Sequence, residues 1–116
     1  MRPGRRAPLT PKQDADAMGE IFSAIEILLP IAGLRVPERA SMAPGLISFG
    51  IDQDCYNILA WYDWDAETVT YGWEIVNNTA HHLHEHFHTT AWTAVADMLL
   101  FIVKLRLGEE ITKHQN

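Results

Sequence analysis

The segment CYNILAWYDW-DAE-TVTYGWEIV, residues 55–76, decides the fold of this chain. Its two halves, Cys55–Trp64 and Thr68–Val76, are rich in aromatic and β-branched residues, which favour extended strands. Because only the short turn Asp65-Ala66-Glu67 separates them, the two strands are expected to pair as an antiparallel hairpin. A third strand-like segment, Leu46–Ile51, lies before them, and the short acidic turn Asp52-Gln53-Asp54 separates it from Cys55. The pattern therefore predicts an antiparallel meander.

Helices are predicted on both sides of this meander. The first begins with Thr10 as its N-cap, Pro11 at the first helical position and Gln13 at the capping-box position. Its apolar residues follow helical spacing and are Met18, Ile21, Phe22, Ile25, Leu28, Leu29 and Ala32. Pro30 lacks an amide donor, so we expect the helix to end or bend there.

The second helix is predicted from about Thr90 to Leu107, with Gly108 just past its end. Its expected inward stripe comprises Trp92, Val95, Ala96, Leu99, Ile102 and Val103. Further apolar residues lie outside that stripe, namely Met98, Leu100, Phe101 and Leu105. Because this band is wider than one sheet face needs, we expect residues 92–105 to pack against the first helix or against a second copy in a homodimer.

The chain has the size of one domain. It has 116 residues, of which 47% are hydrophobic and 21% are charged, as in an ordinary globular protein. We expect residues 1–9 to be a disordered basic arm, residues 10–108 to form the domain with a loop at 37–44, and residues 109–116 to be a polar tail. The predicted fold class is α+β, a three- to four-stranded antiparallel meander with the N-terminal and C-terminal helices on one face.

The charge balance disfavours nucleic-acid binding. Nine Lys and Arg stand against 15 Asp and Glu, a formal net charge of −6, whereas a nucleic-acid surface clusters basic residues against phosphates.

The longest strongly apolar stretch, Met98–Val103, is far short of the ~20 residues of a membrane span. The N-terminal residues lack the apolar region of a signal peptide, so we expect a soluble cytoplasmic protein. The single cysteine, Cys55, is expected to be an inert thiol, buried or half-buried.

Most of the histidines lie in one segment, HHLHEHFH, residues 81–88. As a strand it would place on one face His82, His84, His86 and His88, and on the other Leu83, Glu85 and Phe87. As a helix it would stack His81, His84, Glu85 and His88. The strand is favoured because a natural turn, Asn77-Asn78-Thr79, precedes it. The simplest expectation is then a histidine face that is solvated or contacts a partner, with Leu83 and Phe87 directed into the core.

The same segment offers a candidate metal site. Imidazole nitrogens suit zinc and nickel, and the candidate ligands are His82, His84, His86 and His88. Residues 82–86 also match H-x-x-E-H, the inverted zincin pattern, whose third ligand would be a downstream acid, either Asp97, Glu109 or Glu110. A calcium loop beginning at Asp63 is disfavoured because Thr68 stands where that loop needs glycine. We expect a solvated hairpin tip there instead.

Aromatic residues in the meander point to a protein partner. Two helices cover only one face of the sheet, so the other is expected to keep an exposed aromatic residue, and such residues dominate protein interfaces. The candidate partner-binding residues are Trp61, Asp63, Asp65 and Glu67. The sequence contains no complete set of catalytic residues, and no cofactor is expected. It therefore favours a small acidic protein of immunity, antitoxin or phage anti-defence type, which inhibits a partner by occluding it. The alternative is a zinc or nickel protein, or a metal-dependent enzyme, built on the histidine cluster.

Overall fold

The computed structural model describes residues 6–76, 81–83 and 87–115, with the side chains of 6–76 and 87–108. Two helices and six strands follow one another along these residues. In chain order they are β1 (Arg6–Ala7), α1 (Pro11–Ile31), β2 (Ser41–Ala43), β3 (Leu46–Ile51), β4 (Asp54–Asp63), β5 (Thr68–Val76), β6 (His81–Leu83) and α2 (Ala91–Gln115). The sheet is antiparallel throughout, in the order β2-β3-β4-β5-β6, and β1 pairs with β4.

The predicted α+β class and antiparallel sheet are confirmed, and the sheet is larger than expected. β3 and β5 have the predicted bounds, and β4 lies one residue earlier at each end. The expected loop at 37–44 contains β2, and the expected disordered arm contains β1. These two short segments have little intrinsic strand preference. They are strands because each pairs with a longer neighbour, β2 with β3 and β1 with β4.

The start of α1 is as predicted. The Thr10 hydroxyl accepts the backbone N–H of Gln13 at 3.2 Å, and the Gln13 side chain accepts the backbone N–H of Thr10 at 2.9 Å. Pro30 lies in the last turn, and the helix ends at Ile31. The following Gly33 adopts a positive φ of 78°, which closes the helix with a bond from its N–H to the Pro30 carbonyl.

Both helices pack on one face of the sheet. On β4 the residues directed to them are Tyr56, Ile58 and Ala60, whose partners across β5 are Ile75, Trp73 and Tyr71. From α1 the same core receives Ala17, Met18, Ile21, Ala24, Ile25 and Leu29. The opposite face carries the alternate residues of each strand, among them Cys55, Leu59 and Trp61.

The inward face of α2 is rotated from the predicted stripe. Its buried residues are Ala91, Ala94, Val95, Met98, Leu99 and Ile102, whereas Trp92 and Ala96 are exposed. The helix also continues through Gly108 to Gln115. A glycine inside a helix costs only about 1 kcal/mol, and good helix formers flank it. Neither helix, over the part of the chain that the structure describes, contains an apolar run of membrane-spanning length.

Candidate protein-interaction site

The tip of the β4–β5 hairpin is fixed by its own sequence. Asp63 ends β4, and its Oδ1 accepts the backbone N–H groups of Asp65 at 2.9 Å and Ala66 at 3.0 Å. Glu67 adopts a positive φ of 55° and returns the chain into β5. A carboxylate that binds two amides of the following turn holds that turn in one conformation. The expected hairpin tip is therefore present, and the Asp63 carboxylate is one of its structural elements.

Trp64 is the exposed aromatic residue of this tip. Its side chain is 56% exposed, and it stacks edge-to-face on Tyr62, with ring centroids 5.1 Å apart and planes at 82°. Tyr62 is half-buried and belongs to the face of β4 that carries the helices. The Tyr62 ring contacts the indole, and the Asp63 carboxylate fixes the backbone of the turn that follows Trp64. Asp65 and Glu67 are exposed beside it.

Trp61, the aromatic residue expected to be exposed, is buried. It is 9% exposed and lies on the face of the sheet opposite the helices. The Phe87 ring meets it edge-on at 5.4 Å, and the guanidinium carbon of Arg6 lies 4.1 Å from the ring centroid. Its indole also covers Gly72, where an added Cβ would lie 3.1 Å from the ring. The face without helices is thus covered here by residues distant in sequence.

The candidate partner-binding residues therefore separate into two groups. Asp63, Asp65 and Glu67 lie together at the hairpin tip, and Trp61 lies under Arg6 and Phe87. Trp64 and Arg6 were not among the residues expected at such a site. The turn sequence could have indicated Trp64, since this residue directly follows the aspartate that begins the turn. No local pattern indicated that Arg6 would reach Trp61.

The histidine segment begins as the expected fourth strand of the meander. His81, His82 and Leu83 pair with Val76, Ile75 and Glu74, respectively. The candidate ligands His84 and His86 lie outside the described residues, and His82 is described by its backbone register alone. His88 pairs with Tyr71 through two backbone hydrogen bonds, of 2.8 and 2.9 Å.

At the end of this segment, the side chains of Phe87 and His88 lie on the faces of the sheet opposite to those expected. Phe87 packs on Trp61, outside the core beneath the helices. His88 faces α2, where its Nε2 lies 3.5 Å from Asp97 Oδ2. That oxygen accepts the Trp73 indole N–H at 3.0 Å, and His88 Nε2 is buried without a hydrogen-bond partner among the described residues. The reversal follows from the register, because His88 pairs with Tyr71, a residue of the helix-covered face.

A complete metal site is not present among the residues with described side chains, where no three His, Cys, Asp or Glu groups are arranged to hold an ion. Of the three downstream acids, Asp97 lies beside His88, and the side chains of Glu109 and Glu110 lie outside the described part.

Cys55 is exposed, contrary to expectation, with its Sγ 3.3 Å from Ser48 Oγ.

Glu20 joins α1 to both the sheet and α2. Its Oε2 accepts the Tyr71 hydroxyl at 2.7 Å, and its Oε1 accepts the backbone N–H of Ala91 at 3.4 Å. Burial and this bond to Glu20 raise the pKa of the Tyr71 hydroxyl above its usual value. Burial, with the nearby charges of Asp54 and Asp52, raises the pKa of Tyr56 to about 12.

No protein-family model, curated protein or solved structure matches this chain. The function is therefore inferred from the chemistry of the described residues alone.

Proposed function

We propose that this chain is a small non-catalytic protein of immunity, antitoxin or phage anti-defence type, which inhibits a partner protein by occluding it. Trp64 forms the centre of its docking surface. The observation that supports this is the exposed Trp64 indole, which stacks on Tyr62 next to a turn fixed by the Asp63 carboxylate. Tryptophan is among the residues that contribute most to binding free energy at protein interfaces.

The fixed position of the indole favours binding. A partner that orders a mobile side chain loses part of the binding free energy to conformational entropy. Stacking on Tyr62 fixes the ring before the partner arrives, and the two amides bound by Asp63 fix the backbone beneath it. The entropy lost on docking is correspondingly small.

The charges around Trp64 define the complementary partner. Asp65 and Glu67 are exposed beside the indole, and the whole chain has a formal charge of −6. A basic surface on the partner would be attracted over long distances and would orient on this end of the sheet. The partner is therefore expected to present an apolar pocket for the indole with lysine or arginine at its rim.

The test is site-specific photocrosslinking in the native host, followed by mass spectrometry. A photoreactive phenylalanine analogue replaces Trp64 in one variant and Trp92, the partly exposed tryptophan of α2, in the control variant. We expect one abundant partner adduct from position 64 and none from position 92. The same adduct from position 92 alone would contradict the proposed surface.

His88 and Asp97 support a second candidate function, metal binding. Their Nε2 and Oδ2 atoms are 3.5 Å apart. Two ligands of one tetrahedral zinc ion, each about 2.0–2.2 Å from it, lie about 3.3 Å apart, so the pair is spaced to share an ion. Elemental analysis of untagged protein tests this candidate. One equivalent of zinc or nickel that Asp97→Asn removes would support metal binding, and metal-free protein after incubation with zinc would exclude it.

A further inference from the structure

Arg6 occupies an aromatic site on the face of the sheet without helices. Its guanidinium carbon lies 4.1 Å from the centroid of the Trp61 ring and 5.3 Å from that of Phe87. The two rings meet edge-to-face, with planes at 90°, and Gly72 leaves room for the indole against the sheet. Two π-systems at right angles, with a cation between their faces, form a small cage suited to a guanidinium group.

The backbone beside this cage is a short length of sheet edge. β3 pairs with β4 as far as Leu59, and Ala60 donates its N–H to the Gly45 carbonyl. Beyond that point β1 pairs with β4, through Ala7 opposite Tyr62 and Arg6 opposite Asp63. The edge at Tyr62 and Asp63 is therefore covered by a strand of two residues.

β1 shows how an extended ligand could pair with this edge, and it is itself only a minor part of the sheet. A two-residue strand contributes few hydrogen bonds and little buried area. Many proteins bind an extended peptide by pairing its backbone with a sheet edge and receiving one of its side chains in a neighbouring pocket. Here the edge of β4 would bind the backbone, and the aromatic cage beside it would select the side chain. Arg6 and Ala7 show the arrangement that this edge pairs with in the structure, an extended segment with arginine opposite Asp63.

We infer that the edge of β4 at Tyr62–Asp63, together with the cage of Trp61 and Phe87, binds an extended arginine-containing segment of the partner protein, and that Arg6 and Ala7 occupy this site in the free protein. This inference rests on the proposed protein-binding function and specifies the chemistry of the partner. The N-terminal segment then competes with the partner, so binding requires its displacement.

The charges of the molecule favour such a partner. Three of the nine basic residues lie in the first six positions, which leaves six against 15 acidic residues in the rest of the chain. Three of those acidic residues, Asp63, Asp65 and Glu67, lie at the same end of the hairpin as the cage. Once β1 has left, an arginine-containing segment would meet an acidic surface.

The test uses a synthetic peptide of residues 1–8 and its Arg6→Ala counterpart, titrated into the full-length protein. The indole N–H signal of Trp61, assigned with a Trp61→Phe variant, reports occupancy of the cage by NMR. In the Arg6→Ala protein we expect the native peptide to shift this signal with a Kd at least tenfold lower than in the wild type. The Arg6→Ala peptide is expected to leave the signal unchanged.

Two further proteins complete the comparison. Arg39→Ala removes the same charge from an exposed loop position and is expected to behave as the wild type. Arg6→Lys keeps the charge without the planar guanidinium and is expected to lower the Kd less than Arg6→Ala. Equal Kd values in the wild-type and Arg6→Ala proteins, or no shift at millimolar peptide, would overturn the inference.

Sedimentation separates a partner from a second copy of this chain as the occupant. A wild-type dimer that Arg6→Ala abolishes would assign the cage to the N-terminal segment of another copy and overturn the assignment to a partner. A failure of peptide binding leaves the crosslinking result at position 64 unchanged, so the two proposals fail independently.

Discussion

Gly45 lies where the β2–β3 turn contacts β4, and no side chain fits there. Its φ is +71°, its N–H donates to Asp14 Oδ1 at 2.7 Å, and an added Cβ would lie 2.6 Å from the Ala60 carbonyl oxygen. Gly33 has a similar φ of +78° but open space around it. Alanine substitutions at the two glycines therefore distinguish the free-energy cost of backbone strain from that of a steric clash.

We expect Gly33→Ala to lower the free energy of unfolding by about 1–2 kcal/mol, the cost of the left-handed conformation. Gly45→Ala carries the same cost and a backbone clash, so it is expected to lose about 1–3 kcal/mol more. Chemical denaturation of both variants measures the difference. Equal losses would mean that the Gly45 turn is not held against β4.

Tyr56 and Tyr71 make the protein sensitive to alkaline pH. Burial raises the pKa of both hydroxyl groups, to about 12 at Tyr56, whereas an unfolded tyrosine ionises near 10. Above pH 10 the unfolded chain therefore binds fewer protons than the folded one, and stability falls as pH rises toward 12. The expected slope is about 1.4 kcal/mol per pH unit for each group. In Tyr56→Phe this slope is expected to be smaller, and denaturation between pH 9 and 12 measures it; an unchanged slope would contradict the burial of that hydroxyl.

Single residues were the hardest features to predict from the sequence. The alternation of β4 correctly placed Trp61 on the face away from the helices. Because no helix covers that face, the Trp61 side chain was expected to be exposed. Its burial depends on Arg6 and Phe87, which are 55 and 26 positions away along the chain. Contacts of that separation leave no mark in local periodicity. Thr10 and Gln13, by contrast, act within one helical turn and were predicted correctly.

At the scale of the element, α2 has an abrupt boundary between buried and exposed leucines. Leu99 is 6% exposed and Leu100 is 54% exposed. Leu99→Ala is expected to destabilise by about 2–5 kcal/mol, the range for large-to-small changes in a core. At concentrations low enough to keep the chain monomeric, Leu100→Ala, the same substitution one position later, is expected to change stability by less than about 0.5 kcal/mol. Thermal unfolding compares them, and equal losses would contradict the orientation of the helix.

Elements with a strong local pattern were predicted well, and those defined by pairing were not. β3, β5 and the start of α1 carry strand alternation or a capping box in their own residues. β1 and β2 have two and three residues, too few for a pattern. The orientation of α2 was offset because apolar residues nearly surround it, so its periodicity defines no single inward stripe.

At the scale of the whole molecule, the exposed side of α2 is the expected dimer surface. Trp92, Ala96, Leu100 and Leu107 follow helical spacing and are exposed. An apolar stripe of this length on a helix is commonly covered by another helix, and a symmetric dimer is the commonest closed oligomer. Light scattering is therefore expected to give the mass of two 13.1 kDa chains.

Leu100→Glu is expected to return the single-chain mass, because it places a charge in the centre of the stripe. Ile27→Glu, at an exposed position of α1, is the control and is expected to leave the dimer intact. A single-chain mass for the wild type at high micromolar concentration would rule out the dimer.

The proposed function depends most on Trp64 as the anchor for a partner protein. Calorimetry with the partner identified by crosslinking measures the contribution of Trp64 directly, using the wild type, Trp64→Ala and Trp92→Ala. Loss of an interface anchor costs 2 kcal/mol or more, so Trp64→Ala is expected to raise the Kd about 30-fold or more. Trp92→Ala is expected to change it less than about threefold. A Kd for Trp64→Ala within about threefold of the wild type would show that Trp64 is not the anchor.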